Sequence, residues 1–193
     1  MLIRISNTVL KTRMEKPSIN QSDPQKGSLF CFCTFTHMKV RQHFTVAEAT
    51  QKLQRYCAYQ ERCHKEVKSK LQEMGMIPLV IDTIVTQLIE DNFLNETRFA
   101  ENFVRGKFNQ KKWGKVRLVR ELKARDISEF NIKVALKQID ASDYTATLNA
   151  LAQKRAAQLP PIHPQKKRKK LADYLLYRGW ESHLVFEKVN ELI

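Results

Sequence analysis

The residues most able to do chemistry in this sequence are cations, and they fall into two clusters. The first basic cluster surrounds a tryptophan and consists of Arg105, Lys107, Lys111, Lys112, Trp113, Lys115, Arg117 and Arg120. The second basic cluster is the uninterrupted run of Lys166, Lys167, Arg168, Lys169 and Lys170. Like charges at this density repel one another and make poor core material, so they need solvent or a polyanion. We interpret both clusters as candidate contacts to DNA phosphates or to an acidic protein surface.

Three residues of the first basic cluster have more specific expected positions. On a helix, Arg117 and Arg120 would point away from the apolar side that contains Leu118 and Leu122, which predicts a basic face open to solvent. Trp113 could stack on a base or a guanidinium. It could also be a helix-start residue that packs on a neighbouring repeat, and the sequence leaves both interpretations open.

Cys57, Cys63 and His64 are residue types that bind zinc, but their pattern does not fit a zinc site. Structural zinc sites usually have four ligands, with the members of a pair two to four residues apart. The sequence offers no second pair next to these residues, so we predict buried, apolar cysteines and no metal. A phosphate-binding glycine loop, a Gly-x-Ser-x-Gly elbow and a His-Glu-x-x-His motif are also missing. We therefore predict a protein with no catalytic residues and no cofactor.

The overall charge supports a polyanionic partner. The 193 residues include 34 Lys and Arg against 20 Asp and Glu, a net charge of +14. Such an excess is typical of proteins that bind nucleic acid or an anionic membrane surface, although a basic surface without a specific partner gives the same number. The charge is uneven, because Arg98 is the only base among six acids in residues 71–101. The sequence thus changes from acidic to basic along its length.

The sequence gives no indication of a membrane or secreted protein. No apolar run approaches the roughly 18 residues that a membrane-spanning helix needs. No apolar stretch suitable for a signal peptide precedes Lys16, and four cysteines in a chain of this size do not make a disulfide framework. We predict a cytoplasmic protein without membrane contact.

The N-terminal 40 residues differ from the rest. Residues 17–27 are polar and without helical periodicity, which indicates disorder. Met38 precedes the pattern Thr45-x-x-Glu48, a capping box that predicts the start of a helix over 45–59. We interpret residues 1–40 as a disordered tail or a start-site extension, and 41–63 as a leading helical segment.

From residue 64 the sequence repeats at offsets of 51 and 104 residues. Each copy contains two apolar-striped helices separated by a residue that tolerates a left-handed turn. The aligned sets are Val67, Leu118 and Leu171; Leu71, Leu122 and Leu175; Gly75, Asp126 and Gly179; Met76, Ile127 and Trp180; Ile81, Ile132 and Val185; and Leu88, Ile139 and Leu192. Because such a helix pair cannot bury its stripe alone, the copies should pack on one another.

Capping residues and the spacing of apolar residues predict an all-α fold of tandem three-helix repeats. Pro78, Ser128 and Ser182 are expected to start the second helix of each pair. A third helix, capped by Asn95 or by Ser142, should follow the first and second pairs. The predicted repeats are 64–110, 111–160 and a truncated third repeat, 161–193.

Two segments then resemble the RecX family. Residues 93–105, from Phe93-Leu94-Asn95-Glu96 through Arg98-Phe99-Ala100, are similar to that family's signature of an acidic turn followed by an Arg-aromatic-Ala helix. Residues 113–122, from Trp113-Gly114 to Glu121-Leu122, look like the segment that opens its second repeat. Asn95-Glu96 replaces a pair of aspartates that many members have, and Asp126 replaces a glycine; both changes preserve capping and termination.

The resemblance implies an elongated, modular, non-enzymatic regulator of the RecA recombinase. Such a protein would bind in the groove of a RecA–DNA filament and suppress ATP hydrolysis, strand exchange and coprotease activity, within DNA repair, recombination and the SOS response. We expect a monomer that contacts RecA and the backbone of single- or double-stranded DNA. A RecA-independent DNA-binding repeat protein and a helical adaptor with incidental charge are the alternatives. The spread of cations over two repeats suits backbone contacts better than base readout.

Overall fold

A computed structural model describes residues 44–193, and these residues form nine α-helices and no strand. The predicted N-terminal tail, 1–40, lies outside the described residues. The helices are α1 (Val46–Tyr59), α2 (His64–Glu73), α3 (Pro78–Glu90), α4 (Glu96–Lys111), α5 (Lys115–Lys123), α6 (Glu129–Leu136), α7 (Ala141–Gln158), α8 (Pro164–Tyr177) and α9 (Ser182–Leu192). The all-α prediction is confirmed.

Most of the predicted helix boundaries are confirmed by their local chemistry. The Thr45 hydroxyl accepts a hydrogen bond from the Glu48 N–H, and the Glu48 carboxylate accepts one from the Thr45 N–H at 2.9 Å, which completes the capping box. The Asn95 side chain caps α4 by accepting a hydrogen bond from the Arg98 N–H. The Ser128 hydroxyl caps α6 by accepting one from the Asn131 N–H. Asp126 adopts the left-handed conformation, with φ of 60°. It thus ends its helix as the aligned glycines do.

Two predicted caps are wrong by one or two residues. Asp140, not Ser142, caps α7: its carboxylate accepts hydrogen bonds from the N–H groups of Ser142 and Asp143. An ionised carboxylate also interacts favourably with the positive end of the helix. Glu181 precedes α9, and Ser182 is already the first helical residue. The Glu181 carboxylate makes no capping hydrogen bond and instead accepts one from the Tyr144 hydroxyl.

The buried side chains form three cores, each made mainly by three consecutive helices. The first core joins α1, α2 and α3; the second joins α4, α5 and α6; the third joins α7, α8 and α9 and also includes Phe108 of α4. We call these groups the first, second and third modules. Tandem three-helix repeats are confirmed, but each helix pair shares its core with the helix before it rather than the helix after it. The third module therefore contains three helices.

The grouping follows from the apolar faces of α4 and α7. Phe99, Ala100 and Val104 of α4 are buried with α5 and α6, although α4 follows α3 after a short turn. Tyr144, Leu148 and Ala152 of α7 are buried in the same way with α8 and α9. The predicted boundaries at 110 and 160 place these helices with the preceding pair, because periodicity identifies a buried face without identifying its partner.

Ion pairs and one buried cysteine connect the first and second modules. The Arg98 guanidinium donates to the Glu61 carboxylate at 2.6 Å. Lys65 lies 3.1 Å from the Asp126 carboxylate and donates to the Ala124 carbonyl at 2.9 Å. Cys63, which immediately precedes α2, is fully buried in the second core. The loop between α1 and α2 thus belongs to both modules.

Backbone hydrogen bonds connect the second and third modules. The Gly114 N–H donates to the Arg178 carbonyl at 3.0 Å, and the Val116 N–H donates to the Gly179 carbonyl at 3.1 Å. Between them, the Lys115 N–H donates to the Tyr144 hydroxyl at 2.9 Å. These amides lie at the start of α5, where no intrahelical partner exists. We call these contacts the glycine junction.

The buried hydroxyl of the glycine junction stays protonated. Burial raises the pKa of Tyr144 well above its usual value, and the hydrogen bond to Glu181 raises this pKa further. The protonated hydroxyl donates to Glu181 at 2.6 Å while it accepts from the Lys115 N–H. Tyr144 therefore links the start of α5 to the start of α9.

Both glycines of this junction are required by the close approach of the backbones. A Cβ atom on Gly114 would overlap the backbone at Gly179, and one on Gly179 would overlap Arg117. Gly179 also has φ of 85°, which disfavours any L side chain. The space between the second and third modules is therefore too small for a methyl group at either position.

Replacing Gly114 by Ala should destabilise the protein by about 2 to 4 kcal/mol, because the added methyl group separates amides from their carbonyls. The matched control is Gly106→Ala in α4, where an added Cβ has nothing within 4 Å. The free energy of unfolding of that control variant should rise by about 0.5 to 1 kcal/mol, since alanine forms helices better than glycine does. Chemical unfolding of both variants measures the difference. Equal stabilities would contradict the proposed role of the close approach.

Glu96 should make stability depend on pH. Its carboxylate accepts a hydrogen bond from the Ser128 N–H at 2.6 Å. Although partial burial opposes ionisation, the bonds from Ser128 and Asn131 hold the pKa of Glu96 below its usual value. The stabilisation is present above the unfolded pKa of about 4.3 and is lost as pH falls through the folded pKa. The Tm difference between wild type and Glu96→Gln should therefore be clear at neutral pH and shrink in acid; a constant difference would contradict this assignment.

Candidate nucleic-acid interface

The three modules differ strongly in charge. Residues 44–94 contain seven acids and six Lys or Arg, whereas residues 95–139 contain five acids and twelve Lys or Arg. Residues 140–193 contain six acids and nine Lys or Arg. The excess of positive charge among the described residues is thus confined to the second and third modules, where both basic clusters lie.

The second basic cluster occupies the N-terminal half of α8. His163 caps this helix, Pro164 begins it, and the first turn contains no acid. All five cations are exposed except Lys167, which is half-buried. Lys166 and Lys167, which are closest to the helix N-terminus, face the positive end of the macrodipole, which typically costs about 0.3 to 1 kcal/mol each and falls off beyond the first turn. A polyanion would remove this repulsion and could also accept hydrogen bonds from the free amides of the first turn.

In the first basic cluster, Lys107, Trp113 and Arg117 are brought together. The Arg117 guanidinium carbon lies 4.2 Å from the centroid of the Trp113 ring, and the Lys107 ammonium lies 5.6 Å from it. Trp113 also packs on Phe103 of α4, with ring centroids 6.4 Å apart. Trp113 is thus half-buried between aromatic and cationic neighbours. This placement favours the packing interpretation and supports stacking on a guanidinium.

Arg117 does not lie on an open basic face, so that prediction is wrong for this residue. Its guanidinium lies between the rings of Trp113 and Tyr177 and donates to the Tyr177 carbonyl at 3.1 Å. The start of α5 meets the end of α8 at the glycine junction, and this contact draws Arg117 into the boundary between modules. Arg120, one turn further along α5, is exposed as predicted.

The remaining members of the first basic cluster face different directions. Arg105 is exposed and lines a separate cleft with Glu101, Asp140 and Asp143. The Lys115 ammonium lies 4.5 Å from the centroid of the Tyr144 ring, at the glycine junction. Lys111 is exposed and Lys112 half-buried at the left-handed end of α4. The structure therefore divides what the sequence presented as one group.

Two tyrosines of α8 extend the basic surface, and the sequence analysis missed them. Tyr177 contacts Arg117, and Tyr174 lies between the guanidinium groups of Arg155 and Arg178, at 4.9 Å from each. Their spacing from Lys170, four and seven residues, places all three on one side of α8. That spacing, next to the run of cations, was the signal available in the sequence.

The cysteines are core residues, as predicted. Cys57 is buried in the first core and Cys63 in the second. Burial raises the pKa of both thiols above the usual value, which favours the unreactive protonated form. Residues 44–193 contain no group of three or more side chains placed to hold a metal ion.

Comparison with known families matches the second and third modules separately. The profile of the RecX second three-helix domain matches residues 95–136, and that of the RecX third three-helix domain matches residues 142–189. These ranges follow the helices α4–α6 and α7–α9, which supports the grouping found in the cores. Both basic clusters lie mainly within the matched ranges.

Full-length relatives cover most of the chain. The regulatory protein RecX of Chlorobium phaeobacteroides is 31% identical over 132 residues, which is 68% of this chain and 85% of the relative. The regulatory protein RecX of Prosthecochloris aestuarii is 27% identical over 140 residues, or 72% of this chain and 89% of the relative. Similarity therefore extends beyond the two matched domains.

Solved structures show the same fold at lower identity. The crystal structure of RecX from Lactobacillus salivarius superposes with a TM-score of 0.66 at 24% identity, covering 76% of this chain and 96% of that one. A second crystal structure, of a regulatory protein RecX, gives a TM-score of 0.68 at 22% identity, covering 76% and 71%. The arrangement of the helices is thus shared with these proteins.

Neutralising the second basic cluster should weaken DNA binding without unfolding the protein. We expect the variant with Lys166, Lys167, Lys169 and Lys170 replaced by Gln to bind more weakly and with a shallower salt dependence. For every phosphate that the variant no longer neutralises, the log–log slope should fall by about 0.7 for a single strand and about 0.9 for a duplex. Its Tm should stay equal or rise, because cations are removed from a helix N-terminus.

The control for this experiment is the double variant Lys133→Gln and Lys137→Gln. Both lysines are exposed on or at the end of α6, outside the two basic clusters. Binding titrations at several salt concentrations should give the control a slope equal to that of the wild type. An unchanged slope in the fourfold variant would exclude the second basic cluster from the DNA contact.

Proposed function

Because this chain belongs to the RecX family of regulatory proteins, we propose that it regulates the RecA recombinase by binding to RecA–DNA filaments. Family membership rests on the relatives and on the two matched domains. The observation that carries the proposal for this chain is the position of its unpaired cations. Within residues 44–193, all of them except Lys52 and Arg55 lie in the second and third modules, the parts that match the family's domains.

Charge distribution supports a division of roles between the modules. Within residues 44–193, Arg120 and the cations of the second basic cluster have no carboxylate within ion-pair distance. These side chains are therefore available for phosphates. The first module has nearly balanced charge and pairs its cations Lys68 and Lys70 with Asp82 and Glu73. We propose that it contacts protein rather than DNA.

The proposed effect is inhibition of RecA. A protein of three linked modules can contact neighbouring RecA protomers and the DNA between them at once, and linkage raises the effective concentration of each further contact. Bound in this way, it would slow ATP hydrolysis, strand exchange and coprotease activity, with a role in DNA repair, recombination and the SOS response. We propose that it acts as a monomer and without chemistry of its own.

None of the helices in residues 44–193 is long and apolar enough to cross a bilayer. The partners proposed here, RecA and DNA, are found in the bacterial cytoplasm, and we propose that location for this protein. An anionic membrane surface is the alternative partner for so basic a chain. A membrane partner is less consistent with the description of the relatives as regulatory proteins.

Titration of the protein into RecA with single-stranded DNA and ATP tests the proposal directly. Substoichiometric amounts should slow ATP hydrolysis, because one molecule bound to several protomers obstructs filament growth. Arg120→Glu should relieve the inhibition, since it reverses an exposed, unpaired charge beside the third module. The matched control is Lys137→Glu at the end of α6, an exposed cation of the second module that lies outside the two basic clusters. It should inhibit as well as the wild type.

The recombinase must come from the same organism, because a heterologous filament can lack the contact surface. If saturating protein left both ATP hydrolysis and filament length unchanged while it still bound bare DNA, regulation of RecA would be excluded. The RecA-independent DNA-binding function would then replace it. Equal inhibition by Arg120→Glu and wild type would remove Arg120 from the contact.

A further inference from the structure

Tyr177 is an aromatic residue that the fold leaves open to solvent. It is 73% exposed at the C-terminal end of α8, although the preceding Leu171 and Leu175 are fully buried. A tyrosine usually buries its apolar ring, so such exposure next to a rigid helix end requires an explanation. The backbone here is fixed by the glycine junction, which holds the adjacent residues Arg178 and Gly179.

One side of the Tyr177 ring is occupied by a cation. The Arg117 guanidinium carbon lies 4.9 Å from the centroid of the Tyr177 ring and 4.2 Å from the centroid of the Trp113 ring. The Arg117 Nε atom is buried and has no hydrogen-bond partner among the described residues. Trp113, Arg117 and Tyr177 therefore form a preassembled stack, and the stack ends in an exposed aromatic ring.

Tyr177 also lines an open groove between the end of α7 and α8. The groove has a volume of about 600 Å³, and its lining includes Arg155, Lys170, Asp173, Tyr174 and Tyr177. Arg155 stacks on Tyr174. Lys170 is the last residue of the second basic cluster, so the groove leads from that cluster to Tyr177.

The two basic clusters are thereby connected through aromatic residues. The second basic cluster reaches the groove at Lys170, and the far side of Tyr177 meets Arg117, one turn from the exposed Arg120. Exposed rings alternating with cations are typical of surfaces that bind single strands, where bases stack on rings and phosphates meet cations. Asp173 is the only acid of the lining, so a phosphate suits the cationic ends of the groove better than its centre.

We propose that Tyr177 is a base-stacking site for single-stranded nucleic acid, with the strand's phosphates held by the second basic cluster on one side and by Arg120 on the other. In a duplex the faces of the bases are stacked on one another, so only an unpaired base can use the ring. The proposal rests on the DNA contact of the proposed function and is independent of RecA.

Oligothymidylate and the same strand containing abasic sites distinguish base stacking from phosphate contact. Both strands have the same charge, so fluorescence anisotropy at fixed salt isolates the contribution of the bases. Wild-type protein should bind the intact strand roughly tenfold more tightly. Tyr177→Leu should bind both strands equally, because it keeps apolar bulk and loses the ring. Tyr177→Phe should retain the preference.

A matched control is Phe186→Leu on α9, where another exposed aromatic residue lies outside the groove. This variant should retain the wild-type preference for bases. Duplex binding should be equal in wild type and Tyr177→Leu, and thermal melts should show that all variants are folded. Tyr177→Leu removes no hydrogen bond, since Arg117 bonds to the backbone carbonyl of Tyr177.

The outcomes separate this inference from the proposed function. If wild-type protein binds intact and abasic strands equally, or if Tyr177→Leu keeps the preference, base stacking on Tyr177 is overturned while the phosphate contact stands. If Tyr177→Leu weakens duplex binding as much as single-strand binding, the ring supports the surface rather than a base, which also overturns the inference. If no DNA is bound, both the stacking site and the DNA part of the proposed function are excluded.

Discussion

The second and third modules depend on a meeting of two helix ends. The first amides of α5 have no intrahelical acceptors, and Gly114 has no side chain to cap them. The carbonyls of Arg178 and Gly179, which follow the end of α8, have no intrahelical donors. By pairing these groups, the glycine junction satisfies both ends with one set of hydrogen bonds. Because two of the three bonds are between backbones, they fix the relative position of the two modules with little freedom for side chains to compensate.

This junction determines which cations share a surface. It brings Arg117 against Tyr177 and Arg178 against the end of α4, where the Arg178 guanidinium donates to the Lys111 carbonyl. Residues separated by about 60 positions in the sequence thus become neighbours. The same contact removes Arg117 from the exposed set and leaves Arg120 in it. The contact between modules therefore decides which of these cations are exposed, and the charge pattern alone does not show it.

The sequence predicted the repeated helix pairs well, because their pattern reflects local physics. Apolar residues four apart, followed by Gly75, Asp126 or Gly179, specify a buried stripe and a left-handed stop whatever the tertiary context. The grouping of helices could not be obtained in this way. The apolar face of α4 is equally visible in the sequence whether it packs on the helices before it or after it, and only the fold decides. Tyr177 was missed for a related reason, since its exposure depends on the third core.

The two halves of α8 differ in what they contribute to the fold. Its N-terminal half contains five cations in an electrostatically unfavourable position, and its C-terminal half places Leu171, Ala172 and Leu175 in the third core. The buried half supplies the hydrophobic free energy that keeps the charged half helical, since short helices rely on packing rather than on intrinsic propensity. Functional sites typically contain residues that are locally unfavourable and that the surrounding structure tolerates. The proposed phosphate contact of the second basic cluster would account for this arrangement, because a polyanion offsets the repulsion among its cations.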